Sequence, residues 1–207
     1  MKSVKGAIKV QLYFAIADHR RRGLAGSAAA LRSLAFALVF ALFADAAMAE
    51  PSAGAASELR PLRMEAGTWD ADITFPAQEP GGKSSSAKGV QVNTLRSNGM
   101  WMLNEFSVDG TPYQGTGLWG WDGASKSYVG SWGDNNENRM RLDKGVWDES
   151  VQTMTWSSET IQSDGSRAPL SFTETFRGDV REFDMVLVGP KSGKRYPLVH
   201  MVFRRRA

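Results

Sequence analysis

The sequence predicts an all-β fold, an antiparallel up-and-down β-barrel of about ten strands with a short helical turn before it. Three observations carry that reading. After Gly67 the chain shows short runs of period two and almost no helical periodicity. Turn dipeptides separate those runs: Asn98-Gly99, Asp109-Gly110, Asp122-Gly123 and Asp164-Gly165, supported by Gly178-Asp179 and Ser192-Gly193. Glycine is abundant, 21 of 207 residues against a usual share of about 7%, as the sharp bends of a barrel require. A meander of this many strands curls and closes, because closure removes its two open edges.

Residues 1–49 stand apart from that pattern. Lys2, Lys5, Lys9 and Arg20–Arg22 precede an uncharged apolar run, "LAFALVFALFA" at 34–44, and "DAAMA" supplies a small-x-small end at Ala49. This is the layout of a secretory signal peptide, so the mature protein is expected to be exported to the periplasm or beyond, with no stable membrane anchor after cleavage. The apolar run is shorter than the roughly 20 residues of a membrane-spanning helix. The stretch before it is long for a basic region, which points to a translation start further along, at Val10, Leu24 or Leu31. The "RRRGLAG" run has only faint twin-arginine character.

The rest follows in order. Residues 50–57 read as a flexible lead-in, and 58–207 as the barrel domain. "ELRPLRMEAG" has room for a helical turn that Pro61 keeps short. Strands are expected at 68–75, 87–95, 100–108, 113–121, 127–133, 139–146, 151–159, 170–177, 182–189 and 196–204. The first alternates cleanly, Trp69, Ala71, Ile73 and Phe75 on one face, Asp70, Asp72 and Thr74 on the other. In the last, Val199, Met201 and Phe203 form the more apolar face, which turns His200 outward.

Composition narrows the function. Of 25 Lys and Arg, seven lie in residues 1–49, which hold two of the 22 Asp and Glu, so the remainder carries a net charge near −2. The sequence pI of 9.3 therefore reflects the leader, and nothing calls for a nucleic-acid partner. The chain contains no cysteine, which excludes thiol catalysis, thiolate metal sites and a lipid anchor on a cysteine.

Four motifs invite a chemical reading. "GTGLWG" fits G-x-G-x-x-G through Gly115, Gly117 and Gly120, but a turn and a second alternating strand follow it, not the helix that a dinucleotide needs. Asp134, Asn136 and Asn138 open like a calcium loop, yet Arg139 and Gly145 stand where Gly and a bidentate Glu belong. "SSAK" at 85–88 and "KSG" at 191–193 resemble penicillin-binding signatures without their helical setting. Asp70 and Asp72 face out, while Glu105 and Glu174 lie on strands where they could face a cavity, and no nucleophile–base pair or metal spacing emerges.

The aromatics remain. Trp119 and Trp121 share a strand face opposite Leu118 and Gly120, and Tyr128, Gly130 and Trp132 alternate down the returning strand. Core packing accounts for such rings, as does lining a ligand cavity. Trp101, Trp119, Trp121 and Trp132 are the candidate ligand-binding residues. His200, the one histidine after residue 49, is the candidate ligand should the barrel carry haem.

"GTW" at 67–69, after a helical turn, and the arginines closing the last strand resemble the calycin superfamily, the lipocalins and their relatives. The resemblance implies that an arginine of the final strand, Arg204 or Arg205, packs on the Trp69 ring beside Gly67. Within that group "GMWMLNEF", "YQGTGLWGWD", "KSYVGSWGD", "GVWDESVQTMTW" and a terminal "FRRR" resemble an uncharacterised bacterial family, domain of unknown function 1579, over about residues 58–206. Trp121 replaces that family's usual Tyr, and His200 stands near its usual Glu. The resemblance implies a lipocalin-like barrel and no agreed activity. The expected function is non-catalytic binding of a small apolar or amphipathic ligand, without a cofactor. The alternatives are a structural or protein-interaction barrel, a haem carrier and an enzyme whose chemistry no motif names.

Overall fold

The computed structural model describes residues 57–77, 81–162, 165–190 and 192–207. The leader and most of the lead-in lie outside the described residues, as do Asp164 of one expected turn and Lys191 of "KSG". A short helix, α1 (Arg60–Glu65), leads directly into ten strands among the described residues. They are β1 (Gly67–Phe75), β2 (Ser85–Arg96), β3 (Trp101–Val108), β4 (Gln114–Asp122), β5 (Ser127–Asp134), β6 (Glu137–Asp148), β7 (Thr153–Ile161), β8 (Arg167–Arg177), β9 (Val180–Val188) and β10 (Arg195–Arg205). Each pairs antiparallel with the next, and β1 pairs with β10 from Trp69↔Arg205 to Thr74↔His200, so the barrel is closed. Among the described residues no helix is long and apolar enough to cross a membrane.

The expected strands are all present, several longer than expected. β8 begins at Arg167, not 170, and runs through Pro169, which is exposed and pairs with Glu159. Proline removes one ladder donor without breaking a strand at its first residues. A bulge between Pro197 and Val199 shifts the phase of β10, which then carries Val199, Met201 and Phe203 inward. The tight turn before β3 holds Asn98 at φ 57° and Gly99 at φ 83°, the left-handed conformations those residues tolerate best.

Helix α1 lies against one end of the barrel. Leu59 and Leu62 pack with Met102, Trp119, Tyr128, Met154, Trp156 and Phe172. Pro61 sits in the first turn, where its missing N–H costs nothing. A helix leaves its last carbonyls without partners, and here side chains supply them. Trp69 Nε1 donates to the Glu65 carbonyl at 2.8 Å and Asn93 Nδ2 to the same oxygen at 3.0 Å. Arg205 Nη2 donates to Met64 O at 2.6 Å and Nη1 to Ala66 O. The guanidinium also suits the negative end of the helix.

Candidate functional site in the barrel interior

The inward face is built by seating large rings over glycines of the same or a neighbouring strand. A Cβ at Gly115 would overlap the Trp132 ring, one at Gly117 or Gly130 the Trp119 ring, and one at Gly145 the Trp156 ring. The glycines of "GTGLWG" thus make room for indoles, not for a pyrophosphate. The rings form a continuous run. Trp132 and Trp119 have centroids 5.9 Å apart, Trp119 and Trp156 6.3 Å, Trp156 and Phe172 6.0 Å, and Phe172 and Phe183 5.6 Å. Trp121 meets Tyr128 edge-on at 5.0 Å near the helix end. Burial pushes the Tyr128 hydroxyl up to about 12, and the hydroxyl donates to Glu58 O at 2.6 Å.

The structure therefore gathers Trp119, Trp121 and Trp132 on the inside. Trp101 is on the other face of the wall, where its ring covers Gly120. Trp119 is buried, while Trp121, Trp132, Phe183, Met185 and Met201 point inward and are only half-buried.

Polar groups share the interior. Arg141 forks onto Asp143, Nε to Oδ1 at 2.7 Å and Nη2 to Oδ2 at 3.0 Å, and lies 4.8 Å over the Phe172 ring. Nearer the helix, Arg181 is 1% exposed and sits 4.2 Å over Phe203 and 5.3 Å from Trp69. It donates to Glu174 Oε2 at 2.8 Å, to Glu65 Oε1 and to Gln91 Oε1. Trp156 Nε1 donates to the other Glu174 oxygen at 2.9 Å. Two carboxyl groups thus share one buried cation. Burial, reinforced by the Glu174 charge, pushes the Glu65 carboxyl up to about 8, so it keeps its proton at neutral pH.

Arg205 stacks on Trp69, 4.1 Å from guanidinium carbon to ring centroid, and Arg181 approaches the same ring. Arg204 points outward to Asp72 at 3.0 Å. Gly67 adopts φ 122°, and a Cβ there would lie 2.8 Å from Arg205 Nη1, so both conformation and space call for glycine.

His200 is on the outer face, its Nδ1 2.8 Å from Asp184 Oδ1. It is the only histidine among the described residues, so the interior offers no imidazole to haem. Asp134 is taken up by its own hairpin: Oδ1 accepts the Asn136 and Glu137 amides, and Oδ2 accepts Trp132 Nε1 and the Tyr113 hydroxyl. Among the described residues no cluster of His, Asp and Glu could hold a metal. Of the two glutamates singled out by position, Glu174 faces in and Glu105 is exposed.

The sequence reading missed Arg181, Glu65, Gln91, Asn93, Asn104 and the Arg141–Asp143 pair. In "VQVNT" and "RMRLDKGV" alternation is plain, but the apolar members face out and the polar members face in. Register with the neighbouring strands reveals that inversion: Trp69 of β1 stands opposite Gln91, and Trp132 of β5 opposite Arg141.

The molecule is thus a closed antiparallel barrel with a helix against one end and an aromatic, partly polar interior. The chain belongs to the family described as protein of unknown function (DUF1579), which matches residues 55–205. No curated protein matches it. Among solved structures, the S-type phycobiliprotein lyase CPES from Guillardia theta is similar, at 11% identity and a TM-score of 0.47, over 74% of this chain and 93% of that one.

Proposed function

We propose that this is an exported barrel that binds a small apolar or amphipathic ligand inside, without catalysis. One observation carries the reading: Trp132, Phe183, Met185 and Met201 point into the barrel yet are only partly buried. A solid core would bury such side chains. A binding cavity presents apolar and aromatic walls with a few polar groups, which is the composition found here. Export rests on the leader sequence alone.

The test is expression of the full precursor in a bacterial host, followed by native and denaturing mass spectrometry of the purified product. The expected result is a polypeptide mass beginning at Glu50 and an additional small-molecule mass under native conditions. Titration with apolar compounds should also shift tryptophan emission. A bare polypeptide whose emission no compound moves would overturn ligand binding and favour the interaction barrel.

A further inference from the structure

Two buried acceptors inside the barrel have no donor. Asn93 and Asn104 stand opposite each other on β2 and β3, 4% and 3% exposed, with side chains on the inner face. The Oδ1 of each is buried without a hydrogen-bond partner. The Asn93 amide is oriented by its other end, since Nδ2 donates to Glu65 O at 3.0 Å and Glu65 Oε1 at 3.2 Å. Its Oδ1 is thereby aimed away from the helix. Asn104 is flanked on its own strand by buried Met102 and Phe106, and faces Gly117 across β4.

An amide in such surroundings is costly unless something answers it, and apolar residues of similar size would pack there without that cost. Gly117 extends the same point: the Trp119 ring lies over it, so an inward indole borders Asn104. One donor is also orphaned at this level, the Nε of Arg181, whose Nη2 bonds Gln91. Orphaned acceptors and an orphaned donor together match a group that donates and accepts.

Resting on the ligand-binding reading above, we infer that the ligand is an amphipathic molecule with a neutral hydroxyl head, whose one O–H donates to Asn104 Oδ1 while its apolar body lies along Trp119 and Trp132. A carboxylate head fails here, because it only accepts and so cannot donate to the orphaned amide oxygens. Asn104 is then a specificity-determining residue.

The experiment compares decanol, decanoate and decyl methyl ether by calorimetry and tryptophan fluorescence on the mature protein. Decanol should bind at least about tenfold more tightly than either analogue, since a site built to bond a hydroxyl rejects molecules that lack the donor. Asn104→Leu should erase that preference while binding of the ether persists. Asn104→Ala is the second variant if Leu perturbs folding, and the wild-type ranking needs no variant. Equal binding of decanol and its ether, tighter binding of decanoate, or a preference that survives both variants would overturn the hydroxyl head and leave the ligand barrel standing. Binding of none of the three, with no ligand found by mass spectrometry, would overturn both.

Discussion

Trp69 shows how much one residue can organise. Its ring is fully buried, two guanidiniums approach it, and its N–H holds the last turn of α1. Around it, Glu65 makes stability depend on pH. Its folded value of about 8 exceeds its ordinary 4.5, so between those values the folded state binds the extra proton. The resulting stabilisation is fully present below about 4.5 and is lost as pH rises through about 8. Urea unfolding should therefore show stability declining across that window, and Glu65→Gln should flatten the decline. A wild-type curve that rises across it would contradict the assignment. Arg181→Leu leaves two buried carboxyls without their cation and should cost about 3–5 kcal/mol in the same assay. These residues were unevenly legible. Trp69 and a partner arginine followed from "GTW" and the terminal "RRR", but choosing Arg205 over Arg204 needed the phase of β10. Arg181 and Asn104 gave no sequence signal, because a polar residue among apolar ones reads as an outward position.

At the level of elements, ten strands and one helical turn were legible, since period two and Asn-Gly or Asp-Gly turns act locally. Facing was less so. On β6, Met140, Leu142 and Val146 are 65%, 71% and 66% exposed, while Arg141, Asp143 and Gly145 face in. Hydrophobicity alone argues the reverse, and closure with the neighbouring strands overrules it. The β4–β5 hairpin shows the packing rule in its clearest form, because Trp119 is seated between Gly117 and Gly130 on adjacent strands. Gly130→Val adds atoms where the indole lies. It should destabilise the fold by about 1–3 kcal/mol, the usual cost of overpacking, and shift tryptophan emission to the red as Trp119 gains water. Unchanged emission and melting temperature would mean that the ring does not occupy that seat.

The whole molecule depends on its seam. Asp72–Arg204 at 3.0 Å and Asp70–Arg206 tie β1 to β10 on the outside, and the amide of Arg206 donates to Thr68 O at 2.8 Å. The exposed pairs contribute little by themselves; the ladder and the buried Arg181 hub hold the ring. A chain ending before Arg195 lacks β10 and should show no cooperative thermal transition, because β1 and β9 become open edges and the Phe203 contact with Arg181 disappears. A sharp transition in that truncation would mean that the other nine strands close without it. The same seam sets a timetable for synthesis. Since the strand that completes the ring is the tenth of ten, a nascent chain emerging from the ribosome cannot close the barrel before β10 has left the exit tunnel. Until that moment the first nine strands form an open ribbon that can still be drawn out end to end.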